Sequence, residues 1–273
     1  MAVSTGALFV RYADAAPPMA KAAWRCGLAA IFLLILGRRA ALRPLAQLRG
    51  KQQRNLVLAG FFLALHFGTW IQSLSYTSVA SSLFLFSTAP IWTALLAPLF
   101  IKERTTKAQW IGSVLCLIGA GVLSSGELSV GGTALLGNAL ALAGAITFAI
   151  YLILGRDLQT QIPGLSYLIA TYGSAALFLV LGCLAFSYPL AGYPTPTYGW
   201  LVLLAVVPQM FGHSAYNLSL RHFSAATVSI TLAGEPVLGS LLAWIFLAEA
   251  LTTTTLIGGA ILLSGIYWAT ARS

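Results

Sequence analysis

The chain consists largely of apolar stretches that are each long enough to cross a lipid bilayer. A transmembrane helix needs about 20 consecutive apolar residues. Only 8% of the residues are charged, against about 25% in a soluble domain, so we expect an all-α membrane protein. Helix breakers such as Pro17-Pro18 and Pro163-Gly164 separate the stretches. Ten spans are predicted, at about 1–13, 17–36, 54–76, 78–101, 107–124, 134–155, 165–187, 198–219, 225–248 and 251–270.

The two halves of the chain repeat one another. Shifting the sequence by 146 positions aligns them without a gap, and residues that rarely match by chance then coincide. The matches include Pro17 with Pro163, Gly27 with Gly173, Ala80 with Ala226, Pro90 with Pro236, Phe100 with Phe246, Glu103 with Glu249, Gly112 with Gly258 and Gly119 with Gly265. The predicted domains are therefore two five-helix repeats, residues 1–127 and 128–273.

The first predicted span is the shortest. About a dozen residues precede Ala13, too few to cross a hydrocarbon core of about 30 Å. The sixth span starts near Leu135, which the repeat maps about eleven positions ahead of Met1. We therefore expect the first helix to be truncated at its start.

Charge sets the expected orientation. Of the fifteen basic residues, six lie within 38–54, whereas the equivalent second-half loop, 184–200, has none. Five spans per half is an odd number, so the halves insert with opposite orientation, an inverted-topology repeat. Basic loops face the cytoplasm, which places the C-terminus there and the turns around Asp14, Glu127 and Glu249 outside. The net charge of +9 is thus assigned to topology and not to nucleic-acid binding, and the expected location is a bacterial plasma membrane.

Two charges lie at membrane depth. Glu235 stands about ten residues into the ninth span and is followed by Pro236, while Arg25 lies in the second span. An ionisable group at this depth is a functional-site candidate, and Pro90 and Pro236 are candidate helix hinges. Loss of solvation favours the neutral form of a carboxyl group and a nearby cation favours the charged form. Glu235 is therefore a candidate proton carrier, with a permanent structural ion pair as the alternative. Arg25 either binds a substrate anion or only orients helices.

Further polar and aromatic residues lie near the same depth. His66 and Trp70 are one helical turn apart in the third span. The eighth span carries a comparable stripe after Pro208, which is expected to break the helix. The candidate substrate-binding set is Arg25, His66, Trp70, Trp92, Gln209, His213, Tyr216, Asn217 and Glu235. The alternative is that the polar members only hold helices together by hydrogen bonds.

The small residues in the spans indicate close packing between helices. The sequence contains no motif that is typical of a cofactor site. Cys26, Cys116 and Cys183 are predicted to be core residues, and their spacing matches no metal site. Glycines in the fifth and tenth spans permit close helix contact, so these spans are packing or dimerisation elements and a homodimer is one expected assembly. No phosphate-binding loop of ATP-driven proteins is present.

The stretches LHFGTWIQSLSYTSVASSLFLFSTAPIW at 65–92 and VPQMFGHSAYNLSLRHFSAATVSITLAGEPVLGSLLAWIFLAEALT at 207–252 resemble the EamA family of the drug/metabolite transporter superfamily. The resemblance covers nearly the whole chain. It implies ten helices in two inverted repeats around a central cavity used by alternating access. It also implies export or exchange of small metabolites, with no single substrate selected.

The expected function is therefore a secondary transporter of a small solute such as an amino acid, within the lipid bilayer. A channel or membrane scaffold is an alternative, and so is an integral-membrane enzyme that uses His66, His213 and Glu235. The last is disfavoured because no His-Glu-x-x-His or clustered cysteine pattern is present.

Overall fold

The structure is a computed structural model that describes residues 2–125, 128, 131–247 and 251–272. Glu127 and Glu249 lie outside the described residues. Within them the secondary structure is helical, with no strand. The α-helices are α1 Gly6–Tyr12, α2 Pro18–Gly37, α3 Arg43–Ala46, α4 Lys51–Ser73, α5 Val79–Phe86, α6 Ala89–Ile101, α7 Lys107–Ser124, α8 Ala134–Gln159, α9 Gly164–Ala185, α10 Thr195–Leu204, α11 Ser214–Ser219, α12 Ala225–Leu232, α13 Glu235–Leu247 and α14 Thr253–Ala271.

The described residues contain nine helical segments that are long and apolar enough to cross a membrane. Two of these segments combine neighbouring helices, Val79–Ile101 and Thr195–Ser219. The predicted first span corresponds to α1, which has seven residues and follows a short 3-10 turn, Val3–Thr5. At about 1.5 Å per residue, α1 covers only about a third of a bilayer core.

Side-chain caps at equivalent positions of the two halves start four of the helices. Ser78 caps α5 by accepting from the backbone N–H of Ser81, and Ser224 caps α12 in the same way from Thr227. Thr106 and Thr252 cap α7 and α14. These short polar side chains satisfy backbone donors that the first turn leaves free. Each capping pair is separated by 146 residues, the spacing of the sequence repeat.

The fourth and ninth predicted spans are each interrupted at mid-depth. The helix α5 ends at Phe86 and α6 begins at Ala89, with Pro90 in its first turn. In the same manner α12 ends at Leu232 and α13 begins at Glu235, directly before Pro236. Proline lacks a backbone donor and is tolerated at such helix starts. The interruptions bring irregular backbone to the centre of the molecule.

The eighth span is continuous through Pro208, where the sequence predicted a break. A π-helical segment, Ala205–His213, joins α10 to α11 and contains Pro208 within it. Wider π-type winding accommodates a residue that cannot donate to the ordinary helical ladder, and such segments are frequent at functional sites. This segment turns Gln209 and His213 toward the core, where both are buried.

Corresponding helices of the two halves pack against each other in antiparallel pairs. In the pair of α2 and α9, Gly27 faces Ala176 and Gly173 faces Ala30. In the pair of α7 and α14, Gly112 meets Gly265, Gly119 meets Gly258, and the Cys116 thiol lies 3.6 Å from the Leu262 carbonyl oxygen. In each pair the contacting residue numbers rise along one helix and fall along the other, so the helices are antiparallel. Adding 146 to the first-half residue of one contact gives the second-half residue of its companion contact.

The main core lies between these pairs. The helix α8 packs along α4 and also contacts α5 and α6. Most buried apolar residues of α2, α4, α8 and α9 belong to one cluster, and a smaller cluster lies between α7, α12 and α14. The pocket described next lies inside the larger cluster.

Candidate functional site

A pocket at the centre of the molecule is lined by residues from both halves of the chain. Its walls come from the first turn of the chain, α2, α4, α5, α8, the π-helical segment and the start of α13. The lining residues are Val3, Arg25, His66, Phe67, Trp70, Phe86, Phe148, His213 and Glu235. Its free volume is about 10 Å³ for the centre of a water-sized sphere, which is room for about one water molecule. The pocket is therefore almost filled by its own side chains.

Arg25 is held in the pocket wall by two contacts. Its Nε donates to Oε1 of Gln209 over 2.7 Å, and its guanidinium carbon lies 4.1 Å from the centre of the Phe67 ring. The side chain is only 1% exposed. A stacked, hydrogen-bonded guanidinium keeps its plane fixed. The Nε of Arg25 is thus bonded to an uncharged amide and not to a carboxylate.

Glu235 lines the same pocket without pairing with Arg25. Among the described residues, the one ion pair within 4.0 Å joins Arg156 to Glu103. Glu235 is 9% exposed and is the first residue of α13, directly after the break in the ninth span. A carboxylate at a helix N-terminus is favoured by the helix dipole. Among its described lining residues the pocket thus contains one carboxyl group and one guanidinium group that are not in direct contact.

The two histidines face each other across the pocket. Their ring centres are 6.4 Å apart, and both are buried. His66 Nδ1 lies 3.0 Å from the carbonyl oxygen of Gly144, to which it donates. A neutral His66 therefore presents a bare Nε2 as an acceptor. Around His66 the rings of Phe86 and Phe148 lie at 5.3 and 4.8 Å between centres.

The other sequence candidates lie around the pocket and not in its wall. Gln209 is fully buried and reaches the site through Arg25. Asn217 accepts from Tyr151 Oη and donates to the His213 carbonyl, both over 2.7 Å, so its amide supports the π-helical segment. Trp92 donates to Thr88 Oγ1 on its own helix over 3.2 Å. Tyr216 packs edge-on to His213, with 6.1 Å between ring centres.

The chain is similar to known transporters over nearly its whole length. The sequence profile of the EamA-like transporter family matches residues 1–125 and 135–271. The chain belongs to the EamA-like transporter family. The chain is thus an integral membrane protein of a transporter family.

Three relatives illustrate the range of this EamA-like family. An uncharacterized transporter of Archaeoglobus fulgidus is 29% identical over 70% of this chain and 68% of its own. The uncharacterized transporter YyaM of Bacillus subtilis is 27% identical over 81% of this chain and 74% of its own. A probable terminal-alkyne amino-acid exporter of Streptantibioticus cattleyicolor is 26% identical over 67% of this chain and 61% of its own.

A solved crystal structure has the same fold. It superimposes with a TM-score of 0.81 over 99% of this EamA-like chain and 94% of its own, at 18% identity. At that level of identity the likeness concerns the arrangement of the helices alone.

Several pocket residues were missed or misjudged from the sequence. Phe67 is absent from the predicted set, yet it lies in the pocket wall with the Arg25 guanidinium over its ring. Phe86, Phe148 and Val3 gave no signal, because apolar residues inside apolar spans look alike whether they face lipid, core or cavity. The contacts that turn them inward come from other helices.

A second, larger cavity lies beside α11 and α12. Its volume is about 650 Å³ for the centre of a water-sized sphere. The wall residues are Arg104, Thr106, Gln109, Tyr216, Ser219, His222, Phe223, Ser224, Thr227, Val228, Thr231 and Thr270. Tyr216 stands between this cavity and His213 of the central pocket.

The equivalent place in the first half is covered by α8. There Gly144 lies against Trp70 and Gly137 lies against Thr77, and Ser73 is 0% exposed. In the second half the counterpart of Thr77 is Phe223, which is 55% exposed. The counterpart of α8 in the repeat is the short helix α1, and Val3, in the 3-10 turn that precedes α1, lies against Gly212. The two halves therefore differ in how far this groove is filled.

No group of three or more His, Cys, Asp or Glu side chains is placed to hold a metal ion within the described part of the chain. Although His66, His213 and Glu235 share one pocket, nothing in their arrangement supports zinc chemistry.

Proposed function

We propose that the chain is a secondary transporter, an exporter or exchanger, of small metabolites such as amino acids. The observation that supports this most directly is the convergence of Arg25, His66, His213 and Glu235 on one pocket from both halves of the chain. All four residues stand in the inner part of their predicted spans, away from the span ends. Substrate sites of inverted-repeat transporters lie near the bilayer midplane at the interface of the repeats. The probable amino-acid exporter among the relatives makes amino acids a reasonable class.

Alternating access would come from two inverted five-helix repeats, residues 1–127 and 128–273. Their reciprocal antiparallel contacts at Gly27 with Ala176 and at Gly119 with Gly258 support this arrangement. Contacts that a shift of 146 exchanges are what a pseudo-two-fold axis produces. Rocking of one repeat against the other would expose the central pocket to each side in turn.

Interrupted helices would supply the moving parts. Pro90 and Pro236 each stand in the first turn after a break, next to the pocket residues Phe86 and Glu235. Residues at the ends of helical elements absorb the φ/ψ changes of such motions. We assign the two prolines as hinges.

Proton coupling is assigned to Glu235. It is a buried acid with no ion pair within 4.0 Å in the described structure, and it shares its pocket with one arginine. Protonation therefore changes the net charge of the pocket that the solute meets. An intramembrane acid of this kind marks a proton or ion pathway in many transporters.

The orientation that we propose places 38–54, Arg156 and Arg272 in the cytoplasm, in a bacterial plasma membrane. The glycine-lined pair of α7 and α14 exposes apolar residues such as Ile118 and Tyr267 on its outer side, which is compatible with lipid or with a homodimer contact.

Counterflow in proteoliposomes tests the transport proposal. Vesicles that contain the purified protein are loaded with unlabelled L-leucine and diluted into labelled L-leucine. A carrier gives a transient accumulation of label inside, whereas a channel gives simple equilibration. Protein-free vesicles and vesicles loaded with sucrose are the controls, and label that never overshoots in a panel of amino acids would refute the proposal.

A further inference from the structure

Three buried N–H donors around the central pocket have no hydrogen-bond partner among the residues that the structure describes. They are Nη2 of Arg25, Nε2 of Gln209 and Nε1 of Trp70. These side chains are 1%, 0% and 7% exposed, respectively. Buried polar atoms in folded proteins are almost always paired. These three belong to two residues of the pocket wall, Arg25 and Trp70, and to Gln209, which is hydrogen-bonded to Arg25. A ligand in the pocket is therefore the partner that we consider for them.

All three atoms are donors. An arginine and an indole N–H have no acceptor to offer, and the amide oxygen of Gln209 is already used by Arg25 Nε. The group that complements them must therefore present acceptors only. A planar carboxylate has two acceptor oxygens and a negative charge, and charged acceptors give the stronger hydrogen bonds.

The orientation of Arg25 favours such a ligand. Gln209 holds Nε from one side and Phe67 holds the face of the guanidinium, at 4.1 Å. The neighbouring nitrogen, Nη2, is left free on a group whose plane cannot turn. Because the same Gln209 amide carries the second unpaired donor, one carboxylate oxygen can be shared between Arg25 and Gln209.

The charge of the pocket favours a carboxylate over a phosphate. Arg25 is its one lysine or arginine among the described lining residues, and the nearby Lys21 is engaged at the carbonyl of Val10 over 2.9 Å. A phosphate with about two negative charges calls for more cationic donors. The remaining wall is mainly aromatic and suits an apolar body, while Glu235 can face an amine.

We infer that Arg25, Gln209 and Trp70 form a carboxylate receptor. The transported solute therefore carries a carboxylate on an apolar body, and an amino group on the solute is not required for binding. This inference rests on the proposed function, because it names the group by which the transporter holds its solute. Since the pocket here has room for about one water molecule, the solute binds when the two halves separate on one side.

Direct binding to the purified protein in lipid nanodiscs tests the receptor independently of transport. The probes are isocaproate and isocaproamide, which differ in charge but hardly in shape. By calorimetric titration the acid should bind at least about tenfold more tightly than the amide, because it gains charge-assisted hydrogen bonds. The substitution Glu103→Gln, which removes a carboxylate outside the pocket, should keep this preference.

Two substitutions in the receptor should remove it. Arg25→Gln should abolish the preference for the acid. Gln209→Glu has the same shape and supplies its own carboxylate to Arg25, so isocaproate binding should fall by at least about tenfold with isocaproamide unchanged. Because Gln209→Glu still provides Arg25 with a hydrogen-bond partner, this variant should fold. A loss of isocaproate binding in this variant would therefore not be caused by unfolding.

Equal affinity for the two probes, binding of neither, or a preference that survives Gln209→Glu would each overturn the inference. In those cases water alone completes the three donors. Counterflow separates this result from the transport proposal. If labelled solute overshoots in counterflow but isocaproate binds no more tightly than isocaproamide, the carboxylate receptor is refuted and the transport proposal stands. If isocaproate binds more tightly but no solute overshoots, the transport proposal is refuted and the receptor stands.

Discussion

Glu103, two residues after the end of α6, and Arg156, near the end of α8, form an ion pair that joins the two halves of the chain. The distance from Arg156 Nε to Glu103 Oε2 is 3.0 Å. The other carboxylate oxygen accepts from the backbone N–H of Ala225 at the start of α12, over 2.9 Å. Arg156 also donates to the Leu220 carbonyl oxygen over 2.6 Å. One pair of charges thus ties α6, α8, α11 and α12 together.

This pair should stabilise the protein more than an ordinary surface ion pair. Its side chains are only 24% and 20% exposed, and each makes a further hydrogen bond to backbone. Glu103→Gln and Arg156→Gln should each cost about 1–2 kcal/mol of unfolding free energy. In a double-mutant cycle, each substitution should lower the unfolding free energy by less in the background of the other substitution than it does in the wild type. Thermal unfolding in detergent measures this, and Asp14→Asn at an exposed turn is the matched control.

The close contact of α7 with α14 gives a prediction about backbone packing. A methyl group on Gly119 would lie 2.5 Å from the backbone nitrogen of Leu262, and one on Gly258 would lie 2.4 Å from that of Leu123. Since backbone cannot move aside as a side chain can, Gly119→Ala and Gly258→Ala should each destabilise the protein by about 1–3 kcal/mol.

The control for the glycine variants is Gly68→Ala. Its added methyl group would lie 3.8 Å from Leu179, an ordinary contact, and alanine is the better helix former. Thermal unfolding of the three variants should therefore separate Gly68→Ala, which is neutral or stabilising, from the other two. Three equal melting temperatures would contradict the contact of α7 with α14.

The second cavity predicts different labelling at two equivalent serines. Ser219 lines the cavity, whereas its counterpart Ser73 is 0% exposed and hydrogen-bonded to Ser82 over 2.7 Å. Ser219→Cys should react with a water-soluble maleimide and Ser73→Cys should not. The native cysteines are buried and provide a low background. With the proposed orientation, a membrane-impermeant maleimide should label Ser219→Cys in inverted vesicles and not in intact cells.

The all-helical membrane class and the nine spans found in the described residues could be predicted from the sequence, because membrane helices leave strong local signals. Span lengths, capping residues such as Ser78 and Ser224, and the breaks at Pro90 and Pro236 all depend on residues close together in the chain. The repeat spacing of 146 then indicated which helices correspond. These features need no knowledge of which face of a helix meets which neighbour.

The pocket could be predicted only in part. His66, His213, Arg25 and Glu235 stood out because polar groups are rare in apolar spans. Gln209 was a candidate too, but its contact with Arg25 was not predicted, since it depends on the π-helical segment. Phe67 was not a candidate, since its place is set by packing from other helices. The sequence cannot reveal local winding of that kind when Pro208 is equally compatible with a break.

Glu235 should set the pH dependence of transport. If it carries the proton, charge neutralisation by Glu235→Gln should leave counterflow of L-leucine intact and abolish uptake or efflux driven by a pH gradient. Wild-type exchange should vary with pH as the acid gains and loses its proton, whereas exchange by the variant should be flat over the same range. Both are measured in proteoliposomes with the internal and external pH set independently.

Glu103→Gln, which removes an acid outside the pocket, is the matched control and should keep the wild-type pH profile. A pH profile that survives in Glu235→Gln and disappears in Glu103→Gln would assign the proton to the ion pair with Arg156 and not to the pocket.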